Sequence, residues 1–240
     1  MIVDYSSLAQ KYAQHRQVMP EVLNNLIETG ELSAASQVLD VGCGTGNYAI
    51  ALENALGCSC WGVEPSEQML VKAQAGMRSV RFKLGRAGHL GFPSEFFDLV
   101  FSVDIIHHVS ECSAYFREAY RVLKPGGRVC TVTDSEAIIR GRQPLSVYFP
   151  ETVEIELQRY PRISDLRTMM IAAGFTCLQE TGVERAYTLT DIESYRNKAF
   201  SCLHLISSEA FERGIQNMER DLQNRPIPAV SRYLLLWGLK

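Results

Sequence analysis

Val38-Leu39-Asp40-Val41-Gly42-Cys43-Gly44-Thr45-Gly46-Asn47 reads as an apolar strand running into a glycine-rich turn. The segment that follows, Thr45 to Leu56, carries Ala49, Leu52 and Leu56 at helical spacing. The turn therefore lies at a helix N-terminus, facing the carboxyl end of a strand. Glycine has no Cβ, so Gly42, Gly44 and Gly46 can take positive φ and let backbone N–H groups approach a ligand that a side chain would hold away. This is the local geometry of a nucleotide-cofactor loop, and Cys43 and Asn47 belong to the same turn.

Spacing narrows the cofactor. A dinucleotide fingerprint needs G-x-G-x-x-G, whereas this chain offers G-x-G-x-G with Asn47 where the third fingerprint glycine would stand. Acids flank the loop: Asp40 ends the first strand, and Glu64 ends the next, Cys60-Trp61-Gly62-Val63-Glu64, before Pro65 starts another helix. Glu64 lies 18 residues after Gly46, close to the ~20-residue offset at which an acid reaches a ribose hydroxyl in doubly wound sheets. Two carboxylates suit an adenosine-type sugar and a cationic tail.

On these residues the chain resembles the class I S-adenosylmethionine-dependent methyltransferases, specifically the small-molecule enzymes of the ubiquinone and menaquinone biosynthesis type. The resemblance continues downstream. GRAGHLGFPSEFFD, Gly85 to Asp98, aligns without gaps on the family's adenine-binding turn, Leu-Pro-Phe-like stretch and Phe-Asp pair. A buried strand, Leu99 to Val103, then leads into Asp104-Ile105-Ile106-His107-His108, and a helix stopped by Pro125-Gly126-Gly127 leads into the strand Arg128 to Thr133. The similarity is strong from Gln37 to Asp134 and looser on either side.

The resemblance implies a Rossmann-like, seven-stranded, mostly parallel sheet with the last strand antiparallel and helices on both faces. It implies S-adenosyl-L-methionine as cofactor and a small molecule as methyl acceptor. Carried over residue by residue, the cofactor set is Asp40, Gly42, Cys43, Gly44, Gly46, Asn47, Glu64, Pro65, Arg86, Ala87, Ser102 and Asp104. The leading segment, Tyr5 to Arg16, is similar to the family's first helix, which closes over the cofactor and would bring Tyr12 and Arg16 to the methionine carboxylate. His107 and His108 follow the fourth strand at the crevice edge, where a general base could sit if the acceptor must lose a proton. A hydrogen-bonded structural imidazole is the competing role for each.

One departure bears on adenine recognition. Arg86 stands where the family usually carries an acid, and a guanidinium cannot accept a hydrogen bond from the adenine amino group. The Ala87 backbone and stacking by the guanidinium are the remaining means of holding the ring. Two alternatives to a methyltransferase stay open at this level: a catalytically silent S-adenosylmethionine-binding protein, and a nicotinamide-dependent oxidoreductase, which Asn47 disfavours.

Composition fits a single domain over 1–240. The chain has 240 residues, 46% of them hydrophobic, and no apolar run near the ~20 residues that a membrane span needs. With 24 basic and 27 acidic residues, a net charge of −3 and no basic tract, the expected partner is a small molecule and not nucleic acid or a membrane, in a cytoplasmic setting. The N-terminus shows neither the basic start nor the apolar stretch of a secretory signal. Seven cysteines without paired C-x-x-C motifs indicate neither a disulfide framework nor a zinc site. Nothing in the sequence fixes an oligomeric state.

Periodicity places strands near 37–41, 60–64, 80–84, 97–103, 127–133, 175–182 and 231–238, and helices near 4–14, 20–29, 45–56, 65–75, 111–123, 163–173 and 207–223. This alternation divides the chain into a core, 30–134 and 163–240, and a helical cap from segments 1–29, 135–162 and 188–229. The cap holds Tyr148, Phe149, Tyr160, Tyr187, Tyr195 and Phe200, which either line an acceptor pocket or fix the cap to the body.

Overall fold

The computed structural model describes residues 17–76 and 79–240. The expected helix at 4–14, together with Tyr12 and Arg16, lies outside the described residues. Seven strands form one sheet: β1 (Gln37–Val41), β2 (Ser59–Glu64), β3 (Arg81–Leu84), β4 (Phe97–Val103), β5 (Leu123–Thr133), β6 (Thr176–Leu189) and β7 (Ile227–Leu239), in the order β3-β2-β1-β4-β5-β7-β6. The pairs β1–β2, β1–β4, β2–β3 and β4–β5 are parallel, and β7 runs antiparallel to both β5 and β6. The order reverses between β1 and β4, and in open α/β sheets a ligand crevice forms beyond the carboxyl ends of the strands at such a switch point.

Helices α1 (Pro20–Thr29), α2 (Asn47–Leu56), α3 (Glu67–Gly76), α4 (Cys112–Val122) and α8 (Ile163–Ala173) belong to the layers around the sheet. On one face, Val22 and Leu26 of α1 and Ala49 and Leu52 of α2 pack with Val38, Leu99 and Trp237. On the other, Tyr115 and Phe116 of α4 and Leu166 and Met170 of α8 pack with Leu39, Val100 and Val129. The alternation of buried side chains along the parallel strands thus feeds two cores, one on each side of the sheet.

The region expected to be cap contains α5 (Glu136–Arg140), α6 (Leu145–Tyr148), α7 (Glu151–Arg159), α9 (Glu193–Arg196) and α10 (Ser208–Asn224). It has a core of its own, in which Phe149, Tyr195, Phe211, Ile215 and Met218 are buried together. Tyr148 and Phe200 pack against that cluster, and Tyr187 is exposed. Five of the six cap aromatics are thereby accounted for by packing or surface; Tyr160 is the exception, and it reaches the site.

Several expected boundaries shift. The assignment of 1–29 to the cap fails for 20–29, since α1 is wedged into the sheet-facing core and Asn25 Oδ1 accepts a hydrogen bond from Trp237 Nε1 at 3.1 Å. α4 ends at Val122, before Pro125, because Leu123 already has extended φ −72°, ψ 140° and pairs with Phe97. β6 and β7 run past the expected 182 and start before the expected 231, continuing as a twelve-position antiparallel pairing from Thr176↔Leu239 to Leu189↔Ile227. That ribbon carries the cap away from the sheet, and its outer strand is largely exposed, which masks the two-residue alternation. Asp98 lies in β4, where it accepts from Gln37 N at 2.7 Å and from Lys124 Nζ at 2.8 Å.

Candidate active site

The loop after β1 is tied to β2 by its backbone. Gly42 N and Cys43 N both donate to Val63 O, at 2.7 and 3.1 Å, and Gly46 N closes the turn on Cys43 O at 2.8 Å. Gly42, Gly44 and Gly46 all have positive φ, 71°, 55° and 80°. Their reasons differ. A Cβ on Gly46 would lie 2.4 Å from the Phe82 ring, so this glycine lets the loop pack onto β3, whereas a Cβ on Gly44 would meet nothing within 4 Å. Gly44 faces the crevice, and its bareness leaves room for a ligand.

Glu64 at the end of β2 locks the facing wall. One carboxylate oxygen accepts from Gly44 N and the other from Ser66 N, each at 3.0 Å. Burial pushes the Glu64 carboxyl up from the ordinary range, and those two N–H groups oppose the shift. Asp40 is buried beneath the loop; burial first, and then the nearby Glu64 carboxylate, pushes its carboxyl up to about 8. A Glu64 carboxylate held by two N–H groups, with Asp40 pushed toward its protonated form beside it, makes a site that gains when a cation or sugar hydroxyls arrive.

The crevice encloses about 640 Å³, within the ~300–1,000 Å³ usual for small-molecule sites. Gly42, Gly44, Glu64, Pro65, Arg86 and Ala87 line it on the β1–β3 side, and Asp104 and His108 line it beyond β4. These eight of the expected residues come together. Asp40, Cys43, Gly46, Asn47, Ser102 and His107 do not line it. The Cys43 thiol is turned toward Gly62, where a Cβ would lie 2.6 Å from its sulfur, and burial pushes it up. Asn47 Oδ1 accepts from Thr45 Oγ1 at 3.1 Å inside the turn. Ser102 is wholly buried within β4 and close to the Tyr115 hydroxyl, on the core side of the sheet. These residues build the site from behind and do not face its contents.

His107 and His108 separate in the same way. They sit in a single 3-10 turn, Ile106–His108, with His108 exposed at the crevice and the His107 side chain 3% exposed. The His107 ring stacks on Tyr160 with centroids 4.0 Å apart and touches the His108 ring at 3.9 Å. Tyr160 Oη donates to Asp104 Oδ1 at 2.9 Å, and Asp104, at φ 55°, is a non-glycine residue in the left-handed region. Behind Tyr160, Arg142 donates to Asp134 and, at 2.7 Å, to Glu156, which also accepts from Arg159.

Reading the sequence missed this buried polar cluster and the wall formed by Ser66, Met69, Ser110 and Glu111. A signal for Asp134 was present: β1, β2, β4 and β5 each bring an acid to or just past their carboxyl ends, as Asp40, Glu64, Asp104 and Asp134. Tyr160 stands in the sequence as one of six cap aromatics with nothing to single it out, and Arg142 and Glu156 carry no local signal, because they are brought in by chain more than 30 residues past β4.

Among the described residues, no group of three or more His, Cys, Asp and Glu side chains is arranged to hold a metal ion, and no helix is long and apolar enough to cross a membrane.

Residues 39–131 match the methyltransferase domain family. By sequence the chain is 36% identical over 117 residues to the uncharacterized methyltransferase YcgJ of Bacillus subtilis, covering 47% of this chain and 46% of that one. It is 30% identical over 169 residues to the demethylmenaquinone methyltransferase of Anoxybacillus flavithermus, covering 60% of this chain and 71% of the relative. The crystal structure of YcgJ superposes with a TM-score of 0.63 at 24% identity, over 92% of this chain and 99% of that one. The protein belongs to the class I S-adenosylmethionine-dependent methyltransferases, and the seven-stranded order with its reversed β7 is that family's fold. In sequence, it spans about half the length of relatives such as YcgJ.

The family's cofactor fits the residues present. The open space over Gly44 and the Glu64 carboxylate offer a cradle for an adenosyl group, and Asp40 lies just below. Arg86 lines the crevice, so the departure from an acid there stands within the site itself.

Proposed function

We propose that this protein transfers a methyl group from S-adenosylmethionine to a small-molecule acceptor. The observation that carries this reading is the Gly44 opening, clamped by Glu64, facing Asp104 and His108 across a single crevice. When bound, the cofactor supplies a methyl group on a positive sulfur, and an in-line nucleophile about 3 Å away suffices, so positioning provides much of the rate.

The chain's own residues divide the work. Tyr12, Arg16, Asp40, Gly42, Cys43, Gly44, Gly46, Asn47, Glu64, Pro65, Arg86, Ala87, Ser102 and Asp104 constitute the proposed cofactor set. Within it, Gly42, Gly44, Glu64, Pro65, Arg86, Ala87 and Asp104 line the crevice. Asp40, Cys43, Gly46, Asn47 and Ser102 shape the loop and strand ends behind them. His108 is the proposed base for an acceptor that must lose a proton, because its ring reaches the crevice; His107 supports it from behind. The crevice is closed on one side by the β3–β4 connection and on the other by Ser110, Glu111 and Ala114, which leads to a small, partly enclosed acceptor. A cytoplasmic setting and a partner other than nucleic acid or membrane accord with the net charge of −3.

The test is to incubate the protein with methyl-labelled S-adenosylmethionine and a cell metabolite extract, and to separate the small-molecule fraction. Label should enter a discrete metabolite in a protein-dependent way and fail to do so with Gly44→Val. Binding of the cofactor without label transfer to any metabolite would favour the catalytically silent reading.

A further inference from the structure

We propose that Tyr160 is the positioning residue of the acceptor side: its hydroxyl fixes the Asp104 carboxylate and its ring fixes His107, so that the cap sets the geometry and protonation of the wall carrying His108. The use of that wall in methyl transfer rests on the function proposed above; the positioning does not.

Asp104 occupies the left-handed backbone region, φ 55°, which non-glycine residues seldom adopt. It persists where the surroundings over-determine it. Asp104 N donates to Val132 O at 2.8 Å, and Oδ1 accepts from Tyr160 at 2.9 Å. The same Oδ1 lies 3.8 Å from His107 Nδ1, beyond hydrogen-bond reach. The tyrosine hydroxyl therefore occupies the carboxylate oxygen nearest the imidazole. A buried Tyr hydroxyl that donates to a carboxylate also stays protonated: burial, and then the Asp104 charge, push it well up.

Tyr160 is itself held. Arg142 lies over its ring at 5.2 Å and is pinned between Asp134 and Glu156, while Arg159 pins the other Glu156 oxygen. Four of these groups, Arg142, Glu156, Arg159 and Tyr160, come from the cap, and Asp104, His107 and Asp134 come from the strand ends. Arg142, Tyr160, His107 and His108 thus form a chain of planar groups in contact from the cap interior to the crevice. Among the described residues, the charged and titratable groups around His107 include Asp104 and His108 on its own segment, Tyr160 and Arg142 from the cap, and Asp134 and Glu156 behind them.

The consequence is a specific signature. In Tyr160→Phe the ring stack remains and the donor to Oδ1 is lost, so the carboxylate is released toward His107 and favours the imidazolium. In Asp104→Asn the tyrosine can still donate, but the negative charge is gone and the imidazolium loses its partner. The two variants should move His107 in opposite directions, which generalised loosening of the cap would not do.

The experiment is NMR of the full chain with labelled histidine, following ring signals from pH 5 to 9, with His107→Gln and His108→Gln used for assignment. His107 in Tyr160→Phe should titrate at higher pH than in the wild type by about half a pH unit or more, and in Asp104→Asn at lower pH. Tyr148→Phe removes a hydroxyl that donates to Asp221 at 2.8 Å elsewhere in the cap and should leave His107 unmoved. An unmoved His107 in Tyr160→Phe, or a shift of the same sign in Tyr160→Phe and Asp104→Asn, overturns the proposal. Calorimetry of the wild type with S-adenosylhomocysteine is the separate arm: absence of heat there would count against the methyltransferase reading and leave the His107 result standing.

Discussion

Gly44 and Gly46 lie two residues apart with similar backbone angles, yet the structure assigns them different tasks, and alanine at each should fail differently. Both substitutions place a Cβ in the left-handed region, at about 1–2 kcal/mol. At Gly44 nothing stands within 4 Å of the new methyl, so that strain is the whole stability cost. At Gly46 the methyl would lie 2.4 and 2.6 Å from Phe82 ring atoms, adding about 1–3 kcal/mol of overpacking for a total of about 2–5 kcal/mol. For a chain of this size about 1 kcal/mol moves Tm by ~2–4 °C, so Gly44→Ala should lose about 2–8 °C and Gly46→Ala about 4–20 °C. Binding should rank the other way per degree lost. The Gly44 methyl stands in the crevice, so S-adenosylhomocysteine affinity by calorimetry should drop at least tenfold, or ~1.4 kcal/mol, in a protein that is still folded. Wild-type affinity in Gly44→Ala would refute the orientation of the loop, and equal Tm losses for both variants would refute the packing role of Gly46.

Three further outcomes follow from the same geometry. Asp40 ionises near 3.9 in an unfolded chain and at about 8 in the ligand-free fold, so between those values the folded state holds a proton the unfolded state has released, and stability falls as pH rises across that window. Asp40→Asn removes this contribution and should raise Tm at pH 8 more than at pH 5, while weakening S-adenosylhomocysteine; a larger gain at pH 5 would contradict it. Glu64→Gln leaves either Gly44 N or Ser66 N facing an amide NH2, and losing an internal charge-assisted hydrogen bond should cost about 1.5–3 kcal/mol of stability in chemical denaturation. Arg142→Met strands Asp134 and Glu156 in the cap without their shared partner, and chemical denaturation should show a loss of about 3–5 kcal/mol.

The sheet's parallel half was legible because β1, β2 and β4 are short apolar runs that stop at an acid or a glycine, and the helices at 20–29 and 163–173 showed clean periodicity with Pro20 and Gly174 at their ends. The cofactor wall was legible for the same reason: Gly42, Gly44, Glu64, Pro65, Arg86 and Ala87 lie within three residues of strand ends. What the sequence hid is depth. Ser102 and His107 sit one or two positions from crevice residues, yet they face the core or a tyrosine ring, and only the pleat of β4 and the 3-10 turn decide which neighbour points outward. The acceptor side was hidden by distance, since the Asp104–Tyr160 hydrogen bond spans 56 residues and the Arg142 cluster assembles only when the cap's separate core has folded. The long β6–β7 ribbon escaped because an exposed edge strand carries polar residues on both faces.

The most direct measurement is a crystal structure grown with S-adenosylhomocysteine. Its ribose should lie against the Glu64 carboxylate, its chain over Gly44 and its sulfur toward the wall of Asp104 and His108. A ligand seated elsewhere, or an empty crevice at saturating ligand, would contradict that placement.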